Sequence, residues 1–156
     1  MATDSVGLET AYRIAAIICG AMAASTVLYA LVVAVISVSQ APFEGFAPSG
    51  QPTILRTALW MLALVEAGLI GLVRRALLAR SGSEGVAPQA RRLITTAVVT
   101  AALAEVPAIL GLVLFMLSGL RGDFYALLAL SLALQAAYFP RLDGWREWVT
   151  EPASGS

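Results

Sequence analysis

Residues 14–38, IAAIICGAMAASTVLYALVVAVISV, form a continuous apolar stretch without one charged side chain. A helix rises about 1.5 Å per residue, so roughly 20 apolar residues are enough to cross the hydrocarbon core of a bilayer. The apolar part of a cleavable signal peptide is shorter, at about 7 to 15 residues. This stretch therefore predicts a transmembrane helix that is retained in the protein.

Three further apolar stretches follow the first one, at 53–78, 92–117 and 123–139, and Pro140 ends the last because proline cannot continue a helix. Segments rich in proline, glycine and serine separate them. The chain is 59% hydrophobic, against roughly 45–50% in soluble domains. We therefore predict an all-α membrane protein with a single membrane domain over 1–156, folded as an antiparallel bundle of four transmembrane helices.

The distribution of arginine predicts the orientation of these spans. Eight of the ten basic residues lie in the N-terminal segment, the loop between the second and third spans, and the C-terminal tail, whereas Arg56 and Arg121 lie at the other ends. The positive-inside rule then places both termini in the cytoplasm. The tail, 140–156, is expected at the membrane interface, with 142–149 either a short surface helix or disordered. Exclusive use of arginine over lysine favours a bacterial source, and we expect the inner membrane.

Asp123, in the turn between the third and fourth spans, is a candidate N-cap for the fourth span.

Small residues spaced four apart let helices approach closely in lipid. Every predicted span carries such a row, which favours a tight bundle. The rows are Ala16, Gly20 and Ala24; Ala63, Ala67 and Gly71; Ala97 and Ala101; and Ala129, Ala133 and Ala137.

Two carboxyl groups, Glu66 and Glu105, lie inside the predicted second and third spans. A charge at the bilayer centre costs about 2.5 to 3.5 kcal/mol even on the insertion scale, so such residues usually face the bundle interior. We expect at least one of them to be protonated near neutral pH. Because the two spans are predicted antiparallel neighbours, the carboxyl groups could meet and titrate as a pair; the sequence leaves that contact open.

A predicted polar pocket surrounds these acids. Pro107 lacks an N–H group and so frees a backbone carbonyl one turn earlier, while a threonine and a glutamine can supply further hydrogen bonds. The pocket is either a proton or cation site or a device that fixes the register of neutral helices, and both interpretations stay open. Its supporting residues are Leu103, Pro107, Thr100 and Gln135.

Five arginines around the central loop are candidate ligands for lipid headgroups, although the orientation rule alone accounts for them. These are Arg74, Arg75, Arg80, Arg91 and Arg92.

The chain has no histidine and a single cysteine, which excludes His-based triads, haem attachment and intrachain disulfides. We expect no enzyme activity, no catalytic residue, no metal and no cofactor. The net charge of zero points to no nucleic-acid partner. Cys19, Ser25 and Thr26, inside the first span, are expected to be structural.

The stretch 102–114, ALAEVPAILGLVL, resembles the carboxylate helix of the c subunits of rotary ATP synthases, and Glu105 falls at the position of their ion-binding carboxylate. The preceding loop is similar to that family's polar loop, so the resemblance covers 80–114. It implies a hairpin that carries protons or sodium ions. The family's run of alternating glycines is missing from the helix before the loop.

As a whole, the chain resembles small uncharacterised four-helix bacterial membrane proteins that share the stretch around Glu105 and a Tyr-Phe-Pro-Arg-x-x-x-Trp tail, here 138–145. This resemblance implies a fold and no activity. The leading hypothesis is a non-enzymatic structural or accessory membrane protein with buried protonated glutamates. The alternative is a proton- or sodium-translocating component. The expected partner is the lipid bilayer, with a homo-oligomer or a larger membrane complex left open.

Overall fold

The computed structural model describes residues 2–46, 52–79 and 86–150. In this part of the chain the secondary structure is entirely helical, and the first four helices pack as a bundle, which confirms the predicted all-α class and four-helix architecture. The helices are α1 (Ala2–Ser39), α2 (Pro52–Leu78), α3 (Val86–Ser118), α4 (Arg121–Tyr138) and α5 (Leu142–Thr150).

Two helices begin earlier than predicted. The polar segment before Ile14 continues α1 because it contains no proline to stop a helix. Helix α3 begins at Val86 and accepts Pro88 in its first turn, where the missing N–H group costs no hydrogen bond. Pro107 lies inside α3 without ending it. At the other end of the chain, α5 confirms a short helix in the tail rather than a disordered segment.

The prediction that Asp123 caps α4 is wrong. The helix begins at Arg121, its N-cap residue is Leu120, and no side chain caps it. Asp123 therefore lies inside the first helical turn. Gly119, with φ +69°, makes the turn before α4 and occupies a left-handed conformation that other residues rarely adopt.

Helix α3 lies at the centre of the bundle and packs directly against α1, α2 and α4. Helix α1 also packs against α4, but α1 and α2 are not packed side by side. One face of α3 consequently stays uncovered between them. Its exposed residues are Thr95, Ala102, Ile109 and Val113.

The small-residue rows contribute unequally to this packing. On α2 and α3 they face neighbours, since Ala63 is fully buried and Ala101 is buried. On α1 and α4 the rows face largely outward: Gly20, Ala129 and Ala133 are exposed. The α4 interface instead uses Gly111 of α3, because a Cβ there would lie 3.0 Å from the Leu127 Cβ. The predicted rows on α1 and α4 are therefore not the contact faces.

Two apolar clusters hold the ends of the bundle together. One joins the start of α1 to α3 and α5 and contains Leu8, Ala15, Leu93 and Trp145. In it, Trp145 is buried edge-on against Tyr12, with 5.8 Å between ring centroids. The other joins the far end of α1 to α3 and α4. Its members are Val33, Ala108, Phe115, Phe124 and Leu128.

The loop after α1 is fastened to the turn between α3 and α4. Phe46 N donates to Met116 O at 2.9 Å, and the Phe43 ring lies 5.0 Å from that of Phe115. Gly45 and Gly119 both have positive φ, and each approaches the opposite backbone so closely that a Cβ would not fit. The two glycines therefore allow two irregular segments to pack as one unit.

The outer surface of the bundle is unusually apolar. Of the four predicted spans, only two meet the requirement in the described residues: Gly7–Ser39 and Pro88–Ser118 are long and apolar enough to cross a membrane. Large aliphatic side chains on α1 and α2 point outward along most of both helices. They include Ile17, Val27, Leu28, Leu31, Val35 and Val38 on α1 and Ile54, Met61, Leu62, Leu64, Val65 and Leu72 on α2.

Candidate functional site

Glu105 lies in the middle of α3 and is buried, with 9% of its surface exposed. Two hydroxyl groups of α1 donate to the same carboxyl oxygen, Oε1: Ser25 Oγ at 2.8 Å and Tyr29 Oη at 2.6 Å. Ser25 and Tyr29 are four residues apart, so they lie on one face of their helix. The hydrogen-bond partners of Glu105 thus come from α1.

The Ser25 hydroxyl has a choice of acceptor. Its Oγ lies 2.8 Å from Glu105 Oε1 and 2.7 Å from the backbone oxygen of Met22, but a hydroxyl carries only one proton. If Glu105 is ionised, Ser25 can donate to the carboxylate. If Glu105 is protonated, Ser25 can accept from the acid and donate to Met22 O. Both protonation states of Glu105 can therefore be satisfied without moving a helix.

A second set of hydrogen bonds ties α4 to α1 and α3. Gln135 Nε2 donates to Thr26 Oγ1 at 2.8 Å and lies 3.3 Å from Ser131 Oγ, and Ser131 in turn donates to Ala104 O at 2.7 Å. We call the two sets together the polar layer. It consists of Ser25, Thr26, Tyr29, Glu105, Ser131 and Gln135.

The predicted pocket around Glu105 is only partly assembled in this way. Gln135 belongs to the polar layer but bonds Thr26 and Ser131. Thr100 is buried, and its hydroxyl has no hydrogen-bond partner among the described residues. The backbone oxygen of Leu103 was predicted to be the free acceptor. The hydroxyl of Ser131 instead donates to the backbone oxygen of the next residue, Ala104. Pro107 is fully buried within α3.

Glu66 lies apart from this network. It is half-buried on α2, and its Oε2 has no hydrogen-bond partner among the described residues. No hydrogen bond joins it to Glu105 in the part of the chain that the structure describes. The reason is geometric: Glu105 points to α1, whereas α2 packs on another side of α3.

The predicted headgroup arginines lie at the end of α2 and the start of α3. Arg74 is stacked over the Tyr138 ring at 5.7 Å from its centroid, and Arg92 Nη1 donates to Ala79 O at 2.8 Å. Arg75 and Arg91 are exposed. Arg80 lies outside the described residues. These side chains thus mark the end of the bundle at which α2 and α3 are connected.

At the opposite end, the buried carboxylate of Asp123 forms a second polar cluster. Its Oδ1 accepts from Arg56 Nε and from Trp60 Nε1, both at 3.0 Å, and Arg56 Nη2 is also 3.0 Å away. Asp123 is 8% exposed, whereas Arg56 is 55% exposed. Nearby, Arg121 Nη2 donates to Ser37 O at 3.1 Å. Arg56 therefore links α2 to α4, and Arg121 links α4 to α1. These are the two arginines that the sequence predicts to lie outside the cytoplasm.

The sequence interpretation missed the contribution of α1 to the polar layer. Ser25 and Thr26 were expected to be structural but were not connected with Glu105 or Gln135, and Tyr29 was not singled out. One signal was available, because Ser25 and Tyr29 are spaced four apart and so present two hydroxyl groups from one face of an otherwise apolar helix.

The chemistry open to the polar layer is that of oxygen atoms: hydrogen bonding, proton exchange, or coordination of a hard cation. Among residues 2–46, 52–79 and 86–150, no three His, Cys, Asp or Glu side chains are grouped closely enough to hold a metal ion. No family model, no curated protein and no solved structure matches this chain.

Proposed function

We propose that this chain is a non-enzymatic integral membrane protein of the bacterial inner membrane, with four spans and both termini in the cytoplasm, acting as a structural or accessory subunit. The observation that carries the membrane assignment is the belt of outward-facing aliphatic residues on α1 and α2. Soluble monomers rarely expose contiguous apolar patches above a few hundred Å². A bilayer covers such a belt without a partner protein.

The polar layer supports the structural role. In lipid, polar side chains that bond across helices fix which faces meet, because an unpaired group in hydrocarbon is costly. Glu105 bonds α3 to α1, and Gln135 bonds α4 to α1. The layer therefore sets the relative register of three helices, and the uncovered face of α3 leaves room for a partner helix of a larger complex.

The orientation can be tested by cysteine labelling in intact cells, in a Cys19→Ser background. A membrane-impermeant maleimide should label Ser39→Cys, at the end of α1, and should leave Ala79→Cys, after α2, unlabelled until the cells are lysed. Both positions are exposed on the protein, so burial does not explain a difference. Labelling of both positions in intact cells, or of Ala79→Cys alone, would contradict the proposal.

The structural role predicts opposite effects for the two glutamates. Replacing Glu105 with leucine leaves the Tyr29 hydroxyl without its acceptor and leaves Ser25 only Met22 O, so the free energy of unfolding should fall by about 1–2 kcal/mol. Glu105→Gln keeps an acceptor oxygen and should stay close to the parent. Glu66→Leu removes a buried oxygen that has no partner and should be neutral or stabilising. Thermal unfolding in one mild detergent compares the three variants; a stable Glu105→Leu protein would refute the register role.

A second candidate is a proton- or sodium-translocating component that resembles the c subunit, with Glu105 as the ion-binding group. The observation that favours it is the position of the Ser25 hydroxyl between Glu105 Oε1 and Met22 O, since it can donate to either acceptor. Dicyclohexylcarbodiimide should then label Glu105, and sodium should protect it if sodium is carried. Under the structural proposal, Glu105→Gln changes no ion flux and the intact complex is no ring of identical subunits.

A further inference from the structure

Glu66 is a carboxyl group in the middle of α2 that the fold of the described residues leaves without a partner. It lies ten residues after Arg56 and eight before Arg74, the nearest charged residues along its helix. Its Oε2 is enclosed and unbonded among the described residues. Its Oε1 is not enclosed and has no hydrogen bond to the described residues either, so this oxygen can bond outward. Acids at the centre of a bilayer are usually paired.

Glu66 lies on the side of α2 that faces away from α4. Arg56 and Trp60 bond to a carboxylate of α4 and so mark the side that faces that helix. At about 100° per residue, Glu66 is turned by about 80–120° from these two residues around the axis of α2. The fully buried Ala63 and Ile70, which mark the face against α3, lie between the two sides. Glu66 therefore borders the uncovered face of α3.

A heptad repeat runs along the same side of α2. Its residues alternate at spacings of four and three, which is the spacing of the a and d positions through which helices pair in a coiled coil. Glu66 occupies an a position, where a single polar residue fixes the register and the number of paired helices. Three of the four d positions are leucine. We call this row the seam, and it consists of Leu55, Leu59, Leu62, Glu66, Leu69, Val73 and Ala76.

The fold of a single chain leaves the seam largely uncovered. Leu62 is 53% exposed and Leu69 is 47% exposed, and Glu66 between them is half-buried. Beside the seam, the uncovered face of α3 presents the exposed residues Ala102 and Ile109. A helix laid along the seam would therefore contact α2 and α3 together, and it would lie within reach of the unbonded carboxyl oxygen.

We propose that the seam pairs with the seam of a second copy of this chain, so that two α2 helices lie parallel and their Glu66 carboxyl groups bond to each other. The inference rests on the proposed four-span membrane assignment. Copies that share one orientation in a bilayer, related by a two-fold axis along its normal, bring equal residues together at equal depth. A carboxyl that keeps its proton can donate through Oε1 to the same atom of the other copy. Because Glu66 is complementary to itself at equal depth, a second copy fits the seam without any donor from another sequence.

Cysteine cross-linking of the full chain in membrane vesicles tests the pairing, in a Cys19→Ser background. Leu62→Cys and Leu69→Cys should each form a disulfide-linked dimer on mild oxidation, because d residues of a parallel pair face each other closely enough for a disulfide. Leu64→Cys is the matched control. Leu64 is 52% exposed, but it is turned by about 200° from Leu62 and should stay monomeric. Absence of the dimer in both seam variants, equal linking of all three, or linking to a different protein would overturn the proposal.

The contribution of the carboxyl group is measured by energy transfer between donor- and acceptor-labelled copies in phosphatidylcholine vesicles, at increasing dilution with lipid. Glu66→Leu should weaken association by about three- to thirtyfold, the range for a hydrogen bond between helices in membranes. Glu66→Gln keeps a donor and an acceptor and should stay within about threefold of the parent. Unchanged association in Glu66→Leu would refute the carboxyl pair. In detergent that separates the copies, the stability of the single chain should not depend on Glu66.

A pair of alanine variants separates the seam from a general loss of apolar surface. Leu62→Ala should weaken association, and Leu64→Ala, which removes an equally exposed side chain, should not. Equal effects would overturn the proposal. Its failure is distinct from failure of the proposed function: a monomer that keeps the expected labelling of Ser39→Cys and Ala79→Cys would overturn the dimer and leave the membrane assignment intact.

Discussion

Replacing Gly119 with alanine is expected to lower the free energy of unfolding by about 3 kcal/mol or more, since the left-handed backbone alone costs about 1–2 kcal/mol for residues with a side chain. Gly119 has φ +69°, and a Cβ there would lie 2.5 Å from Phe43 O and 2.9 Å from the Glu44 carbonyl carbon. These are backbone atoms, so no side-chain rotation can relieve the clash. The loop after α1 would have to leave the turn between α3 and α4.

The control is Gly122→Ala, three residues later in the first turn of α4. A Cβ at Gly122 meets nothing within 4 Å, and alanine favours a helix over glycine by about 0.5–1 kcal/mol. This variant should therefore be as stable as the parent or slightly more so. Reversible denaturation in detergent compares the two proteins. If they lose equal stability, the close packing of the two glycine turns does not contribute as described.

Asp123→Ala is expected to have the next largest effect, a loss of about 2 kcal/mol. Removing one partner of a buried ion pair typically costs about 3–5 kcal/mol, but Arg56 is 55% exposed, so solvent compensates part of its loss. The indole N–H of Trp60 also loses its acceptor. Because both donors are on α2, the change should loosen this helix in particular. Hydrogen exchange of α2 amides is the measurement that would detect it.

Asp143→Ala provides the comparison for Asp123→Ala. Asp143 also lies in the first turn of a helix, α5, but its side chain is exposed. If acidic residues matter here only through the helix dipole, each substitution should cost about 0.3–1 kcal/mol. A larger loss for Asp123→Ala, confined to α2, supports the ion pair and the indole bond. Equal small losses would contradict it.

The helical content and the approximate spans could be predicted because they depend on local information: apolar length, charge, and the prolines at 52, 88 and 140. Pro107 shows the limit of that information. The same residue type that ends α4 is tolerated inside α3, where packing on three sides holds the helix together. The extension of α1 to Ala2 was not predicted, because the bounds of the first span were set by the number of apolar residues needed to cross a bilayer and not by helix propensity.

The candidate site was only partly predictable for a different reason. A carboxyl group in an apolar helix is conspicuous in sequence, so Glu105 and Glu66 could be singled out. Which helix supplies the partners depends on the arrangement of the bundle: α2 does pack beside α3, as the short loop between them predicted, but the partners of Glu105 lie on α1. The bonds of Glu105 to Ser25 and Tyr29 join positions 80 and 76 residues apart. Asp123 was misassigned for the same reason: its partners lie on α2, far away in sequence.

The polar layer also has a consequence for biosynthesis. Helix α1 is made first, yet Ser25, Tyr29 and Thr26 find their partners 80, 76 and 109 residues later in the chain. If the chain enters a bilayer as we propose, α1 is inserted before α3 and α4 have been made, with three hydroxyl groups whose partners are still absent. Ser25 and Thr26 can bond to Met22 O in the meantime, whereas the phenol of Tyr29 cannot reach its own backbone. A ribosome-bound chain truncated before α3 should consequently stay associated with the insertion machinery longer than the complete protein.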